Sequence, residues 1–247
     1  FLNPLIYVPY HLLASHLPPR AATIGLAAMQ SLSLLPVHGL ARSLLPPAPG
    51  GAGRGLALPV VLTGGTAPLF LREAGTSFAD NLVSLPLLAA VLVACRTVDA
   101  DSSRAAGKRR LCAMMLAGAL VGAATGLKMT CTIYVLGFLA ALLIAVPRPG
   151  KTRLLMTAAA GMVVGWVLTG GGWAWRLWTS YRSPMFPFFN DLFHSPLYPE
   201  RRFTDPRFLP DSFVDALGYP FQWLLGKHPS SEVPFRDARF AVIVGLA

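Results

Sequence analysis

The chain has 247 residues, of which 54% are hydrophobic and 13% charged, with a mean hydropathy of +0.54. Soluble domains run at roughly 45–50% apolar and about 25% charged, so this composition excludes a disordered chain and argues against a soluble enzyme. The net charge of +10 does not indicate nucleic acid: residues 173–238 carry seven basic and seven acidic side chains, and the excess sits in short loops between apolar runs.

An integral membrane protein is the reading that remains. A bilayer core about 30 Å thick needs roughly 20 apolar residues in a helix. Phe1–Leu17 is a doubtful span, with Pro4 and Pro9 near its start, whereas Ala21–Leu45 is a plausible one. Gly50–Gly55 is glycine-rich but lacks the Lys-Ser/Thr ending of a P-loop, and reads as a flexible connection. Leu56–Leu71 is weak, interrupted by Pro59, Gly64, Gly65 and Pro68. Leu82–Cys95, Leu111–Leu127, Met129–Val146 and Leu154–Thr169 are spans or near-spans, and Arg239–Ala247 begins another.

The expected fold is therefore an all-α, polytopic transmembrane helix bundle. Residues 1–172 would form the bundle, 173–238 a long outer-face loop region rich in proline and aromatics, and 239–247 the start of a further helix. Phe1 and Ala247 both fall within apolar runs, so the chain is expected to be an internal piece of a longer protein. No basic n-region with a cleavage site marks a signal peptide. Cys95, Cys112 and Cys131 lie in or beside apolar runs without metal-ligand spacing, and read as small buried hydrophobes.

Loop charge sets the orientation. Arg96, Arg104, Lys108, Arg109 and Arg110 outweigh Asp99 and Asp101, and Arg148, Lys151 and Arg153 mark a second basic loop. Both should be cytoplasmic. The turn at Gly126–Thr130, the segment Arg72–Asn81 and the region 173–238 then converge on the outer face. The first three apolar runs leave the side of Phe1 open, since a single re-entrant segment among them reverses the parity.

Chemistry-bearing residues fall in those outer segments. Lys128 is the only cation between Arg110 and Arg148; with Gly126 and Thr130 beside it, it can hold a phosphate at the membrane surface or simply snorkel. Glu73 and Asp80, set among hydroxyls and Gly75, can accept a proton or coordinate a divalent metal. Alternatively, Glu73 pairs with Arg72 while Asp80 caps the following helix. In Ser183–Tyr198, prolines and aromatics surround Asn190, Asp191 and His194, which suits either hydrogen bonding to ligand hydroxyls or an aromatic belt. Arg201, Arg202, Arg207, Glu232 and Arg236 alternate with aromatics and acids; the arginines can clamp phosphate, or the whole can be a solvated ion-pair surface. Trp173, Trp175 and Trp178 read as interface anchors.

Several of these segments resemble a known family. Phe1-Leu2-Asn3-Pro4-Leu5, Glu73-Ala74-Gly75-Thr76 with Asp80, and Gly126-Leu127-Lys128-Met129-Thr130 are similar to bacterial polytopic membrane glycosyltransferases of the GT-C class. So are Ser183–Asn190, Phe193-His194-Ser195-Pro196, Asp205-Pro206-Arg207-Phe208 and the stretch from Glu232 to Arg239. The resemblance implies transfer of a sugar from a polyprenyl-phosphate-linked donor to a glycan or lipid acceptor, on the outer face of the bacterial cytoplasmic membrane. Lys128 would meet the lipid phosphate, and Glu73 and Asp80 match a second acidic loop. The family's principal acidic residue would precede Phe1. The rival class is a transporter or flippase with Lys128 and Glu73 along its path; a membrane scaffold without chemistry is the third.

Overall fold

A computed structural model describes residues 3–45, 55–99, 106–201, 209–226 and 236–246. Among these residues every regular element is helical and none is a strand, as an all-α bundle requires. Four helical stretches are long and apolar enough to cross a membrane: Pro19–Leu44, Asp80–Asp99, Gly107–Leu127 and Lys151–Tyr181.

The N-terminal segment does not cross. Helix α1 (Val8–His16) ends at Leu17 and Pro18, and α2 (Pro19–Ser31) turns back beside it, with Leu13 against Gly25. A break at Leu32 and Ser33 joins α2 to α3 (Leu34–Leu44), which descends until Gly39 meets Leu92 and Arg96. The weak run 56–71 forms two short helices, α4 (Ala57–Gly65) and α5 (Pro68–Glu73), broken at Thr66 and Ala67 because Pro68 can only begin a helix there. These return the chain to the opposite end, where the Asn81 amide donates to the Phe70 carbonyl at 3.0 Å. Asn3 and Lys128 consequently share one end of the bundle, which fixes the parity that the sequence leaves open.

Helices α6 (Asp80–Asp99) and α7 (Ala106–Leu127) form the next pair. A single 3₁₀ turn, Met129–Cys131, leads into α8 (Thr132–Ala145), which is shorter than the span expected over 129–146. Buried Ala90, Met114, Val121, Phe138, Leu142 and Met162 form the central apolar cluster. Outward-facing side chains such as Ile144 and Leu168 are 85% and 76% exposed, as a lipid-facing surface demands.

The last long helix departs from expectation. The span expected over Leu154–Thr169 runs further, since α9 (Lys151–Trp166) continues through a π turn (Val167–Gly171) into α10 (Gly172–Tyr181). The glycines serve close packing here: a Cβ on Gly170 would lie 2.7 Å from the Gly126 Cα. The helix therefore continues past residue 173 to Tyr181, and the connecting segment begins at Arg182, in the left-handed region at φ 54°. Trp173, Trp175 and Trp178 lie on the helix.

Helices α7 and α9 run parallel in unusually close contact. Gly118 and Gly122 on α7 face Ala158 and Met162 on α9, and Gly126 faces Gly170 in the π turn, while Gly161 and Gly165 face Met115 and Ala119. Between membrane helices, small residues four apart let backbones touch and gain packing and Cα–H···O contacts. This seam ends at the turn that carries Lys128.

Basic side chains gather at the far end, where Arg110 donates to the Thr97 carbonyl at 3.0 Å and Lys151 to the Leu143 carbonyl at 2.6 Å. Each satisfies a carbonyl in the last turn of a helix. Of the remainder, α11 (Asn190–Phe193) is a single turn in the segment after α10, and α12 (Phe213–Leu225) packs on α13 (Arg239–Leu246). Arg239 pairs with Asp237 and donates to the Thr63 carbonyl at 2.8 Å, tying α13 to α4.

Candidate functional site

Lys128 breaks α7 by adopting an extended backbone, φ −141° and ψ 109°. Its N–H still donates to the Ala124 carbonyl at 2.9 Å, and its carbonyl accepts from Cys131 at 2.9 Å, so the turn is held on both sides. The Lys128 ammonium is in contact with the Asp80 carboxylate. Asp80 opens α6, where a negative charge is favoured by the helix N-terminus. The pair is accessible, the Lys128 side chain being 24% exposed and that of Asp80 51%. Thr130 is exposed on the same turn.

Glu73 ends α5 and is half-buried. Burial, and then the negative charge of Asp80, push its carboxyl above the ordinary value, while the Lys128 ammonium and the Asn81 N–H hold it back in part. Glu73, Asp80 and Lys128 thus act on one another electrostatically from three separate elements. The loop between the two acids turns on Gly75 at φ 77°, where a Cβ would also come within 2.9 Å of the Thr23 carbonyl oxygen. Buried Gln30 clasps that loop: its Oε1 accepts from Gly75 at 2.7 Å, and its Nε2 donates to Thr76 at 3.2 Å and Phe78 at 3.1 Å.

On the other side of Lys128 lies a cavity of about 350 Å³ lined by Asn3, Lys128, Trp166, Trp173, Phe186 and Phe188 among others. Its far wall is the segment after α10, whose aromatics are packed in place. Phe186 stacks on Tyr181 with centroids 4.3 Å apart and meets Tyr198 edge-on at 6.1 Å. The Phe186–Pro187 bond is cis.

Asn190 is fully buried and organises this segment. Its amide donates to the carbonyls of Ser195 at 3.1 Å, Tyr198 at 2.7 Å and Pro199 at 3.2 Å, and its Oδ1 accepts from Ser195 at 2.7 Å. Its amide and its carbonyl oxygen are thus both engaged by its own loop. Phe189 and His194, which flank α11, are held at φ 55° and 50°, a region that costs non-glycine residues energy.

Asp191, His194 and Arg201 are exposed, and the His194 Nδ1 lies 3.5 Å from the Glu200 carboxylate. Arg236 is also exposed and lies over Gly226, at the connection between α12 and α13. Arg202, Arg207 and Glu232 lie outside the described residues. Among the described residues, no three His, Cys, Asp or Glu side chains gather as a metal site would need. A divalent ion held by Glu73 and Asp80 would need water or substrate oxygens to complete its shell.

Asn3, Gln30 and Asn81 have positioning roles that the sequence reading does not assign. A carboxamide inside an apolar run is the signal that could have found Gln30, and the spacing Gly118, Gly122, Gly126 announces the seam. Compared with known proteins, the chain matches no family model, no curated protein and no solved structure.

Proposed function

We propose that the protein is a membrane glycosyltransferase that moves a sugar from a polyprenyl-phosphate donor to an acceptor hydroxyl on the outer face of the bacterial cytoplasmic membrane. The observation that carries this reading is the meeting of Glu73, Asp80 and Lys128 at one end of an apolar bundle, beside an aromatic-walled cavity. A lipid-phosphate donor needs a cation near the membrane surface, and the resemblance of these segments to GT-C enzymes points to the same chemistry. The basic loops at the opposite end support an outward-facing site.

In this mechanism the Lys128 ammonium binds the donor phosphate and offsets the charge that develops as the bond from the sugar carbon to the phosphate oxygen breaks. Glu73 takes the proton of the acceptor hydroxyl as the new glycosidic bond forms, and polyprenyl phosphate leaves. Asp80 holds the ammonium in place between turnovers. A carboxyl with a raised pKa is the stronger base of its type, which fits Glu73 for the proton.

The test is sugar transfer from labelled polyprenyl-phosphate donors by the full-length protein in nanodiscs. Glu73→Gln should lower kcat by about 10²–10⁴-fold, the range for loss of a general base. Lys128→Ala should raise the donor KM far more than Met129→Ala does. No turnover across a broad donor and acceptor panel, with saturable lipid-phosphate binding lost in Lys128→Ala, would replace the transferase by a lipid-linked substrate carrier.

A further inference from the structure

Asn3 is 5% exposed, and its side chain makes three hydrogen bonds, all to backbone. Its amide donates to the carbonyls of Gly126 and Thr169, both at 2.7 Å, and its Oδ1 accepts from the Leu5 N–H at 3.1 Å. Gly126 lies in the last turn of α7, where carbonyls have no partner within the helix. Thr169 lies in the π turn, where the regular α-helical ladder is interrupted. One side chain therefore supplies a donor to a helix-end carbonyl and to a bulge carbonyl on two different helices. The Thr169 hydroxyl adds a second tie, donating to the Ala123 carbonyl at 3.0 Å.

Lys128 follows Gly126 by two residues, and its own N–H is bonded to Ala124 in the same pinned turn. Asn3 also lines the cavity that Lys128 lines. We infer that Asn3 is a positioning residue for Lys128, fixing the turn from which the ammonium reaches both Asp80 and the cavity; this rests on Lys128 being the anion-binding group proposed above. Without the amide, two half-buried carbonyls lose their donor, and the end of α7 must shift to find others. Lys128 shifts with it.

The test uses the full-length protein in nanodiscs and two independent readouts. The first is the rate at which a water-soluble amine-acylating reagent modifies Lys128, read by peptide mass spectrometry, with Lys151 at the opposite end as internal reference. Asn3→Leu keeps the approximate shape without the donors. Asn3→Asp keeps the acceptor for Leu5 but sets a carboxylate against two carbonyl oxygens. Both should change the Lys128 rate by about fivefold, the scale on which contacting groups couple, with Lys151 unchanged. Phe138→Ala, which removes a buried side chain from the central cluster away from the Lys128 turn, should leave the ratio unchanged. An unchanged Lys128 rate in both Asn3 variants, or an equal change in Phe138→Ala, would overturn the inference.

The second readout is the affinity for farnesyl phosphate. Asn3→Leu should weaken binding when Lys128 is present and add nothing on a Lys128→Ala background. Fully additive losses would overturn the inference. Failure of farnesyl phosphate to bind the unmodified protein would strike the proposed function, while the labelling ratio would still decide the role of Asn3.

Discussion

Glu73 is the residue whose surroundings set a pH dependence. Burial and the Asp80 carboxylate both favour its protonated form, so the base becomes available at a higher pH than an ordinary glutamate would. Transfer should increase with pH as Glu73 ionises. The two neighbours should move the acid limb in opposite directions: Asp80→Asn removes a like charge and lowers it, whereas Lys128→Met removes an opposing charge and raises it. A pH–rate profile of each variant checks this, and a limb that stays put in both would exclude Glu73 as the titrating base. Gln30 sets a cost in stability. Gln30→Leu would deprive one backbone N–H and two carbonyls of their partner, at about 1–3 kcal/mol for each group left unsatisfied. Its melting temperature should fall well below that of a surface variant such as Ser77→Ala. The carboxylates and the ammonium are legible in the sequence because charge inside an apolar chain is rare. What the supporting carboxamides bind is not, since Asn3 and Gln30 hold the backbone of distant segments, and backbone leaves no mark on residue identity.

At the scale of elements, apolar run length identifies the long helices, because crossing a bilayer core demands it. It misjudges the junctions, where tertiary contact overrides local propensity. The triple glycine Gly170-Gly171-Gly172 would end a helix in water, but Gly126 lies against Gly170 and the extra residue is absorbed in a π turn. The same close approach governs the α7–α9 seam. A methyl group on Gly122 would overlap the Met162 carbonyl oxygen, and one on Gly165 that of Ala119, both backbone atoms with no rotamer through which to escape. Gly122→Ala should therefore force the helices apart and cost about 1–3 kcal/mol or more. Gly137→Ala on α8 meets nothing within 4 Å and should be neutral or slightly stabilising. Thermal unfolding in detergent separates the two. Equal melting temperatures would mean that the seam is looser than the packing of these glycines requires.

For the whole molecule, the decisive quantity is the unequal charge of its two ends. Arg96, Lys108, Arg109, Arg110, Arg148, Lys151 and Arg153 crowd one end of the bundle, and among the described residues Asp99 is the acid that accompanies them. The other end mixes Arg72, Lys128, Arg182 and Arg201 with Glu73, Asp80, Asp191 and Glu200. Basic loops are retained in the cytoplasm during insertion, so the mixed end should face outward. Because α1 folds back on α2 and the broken pair α4–α5 returns the chain, Asn3, Glu73, Lys128 and the aromatic segment all share that end. A single membrane orientation therefore places the entire candidate site. In intact cells carrying a cysteine-free background, an impermeant maleimide should label Thr76→Cys and Leu192→Cys, whose side chains lie at the mixed end, and spare Arg148→Cys until the cells are opened. The reverse pattern would leave the bundle and the Glu73, Asp80 and Lys128 cluster intact but turn that cluster to the cytoplasm. An outer-face transferase would then be excluded by topology alone, whatever the cluster binds.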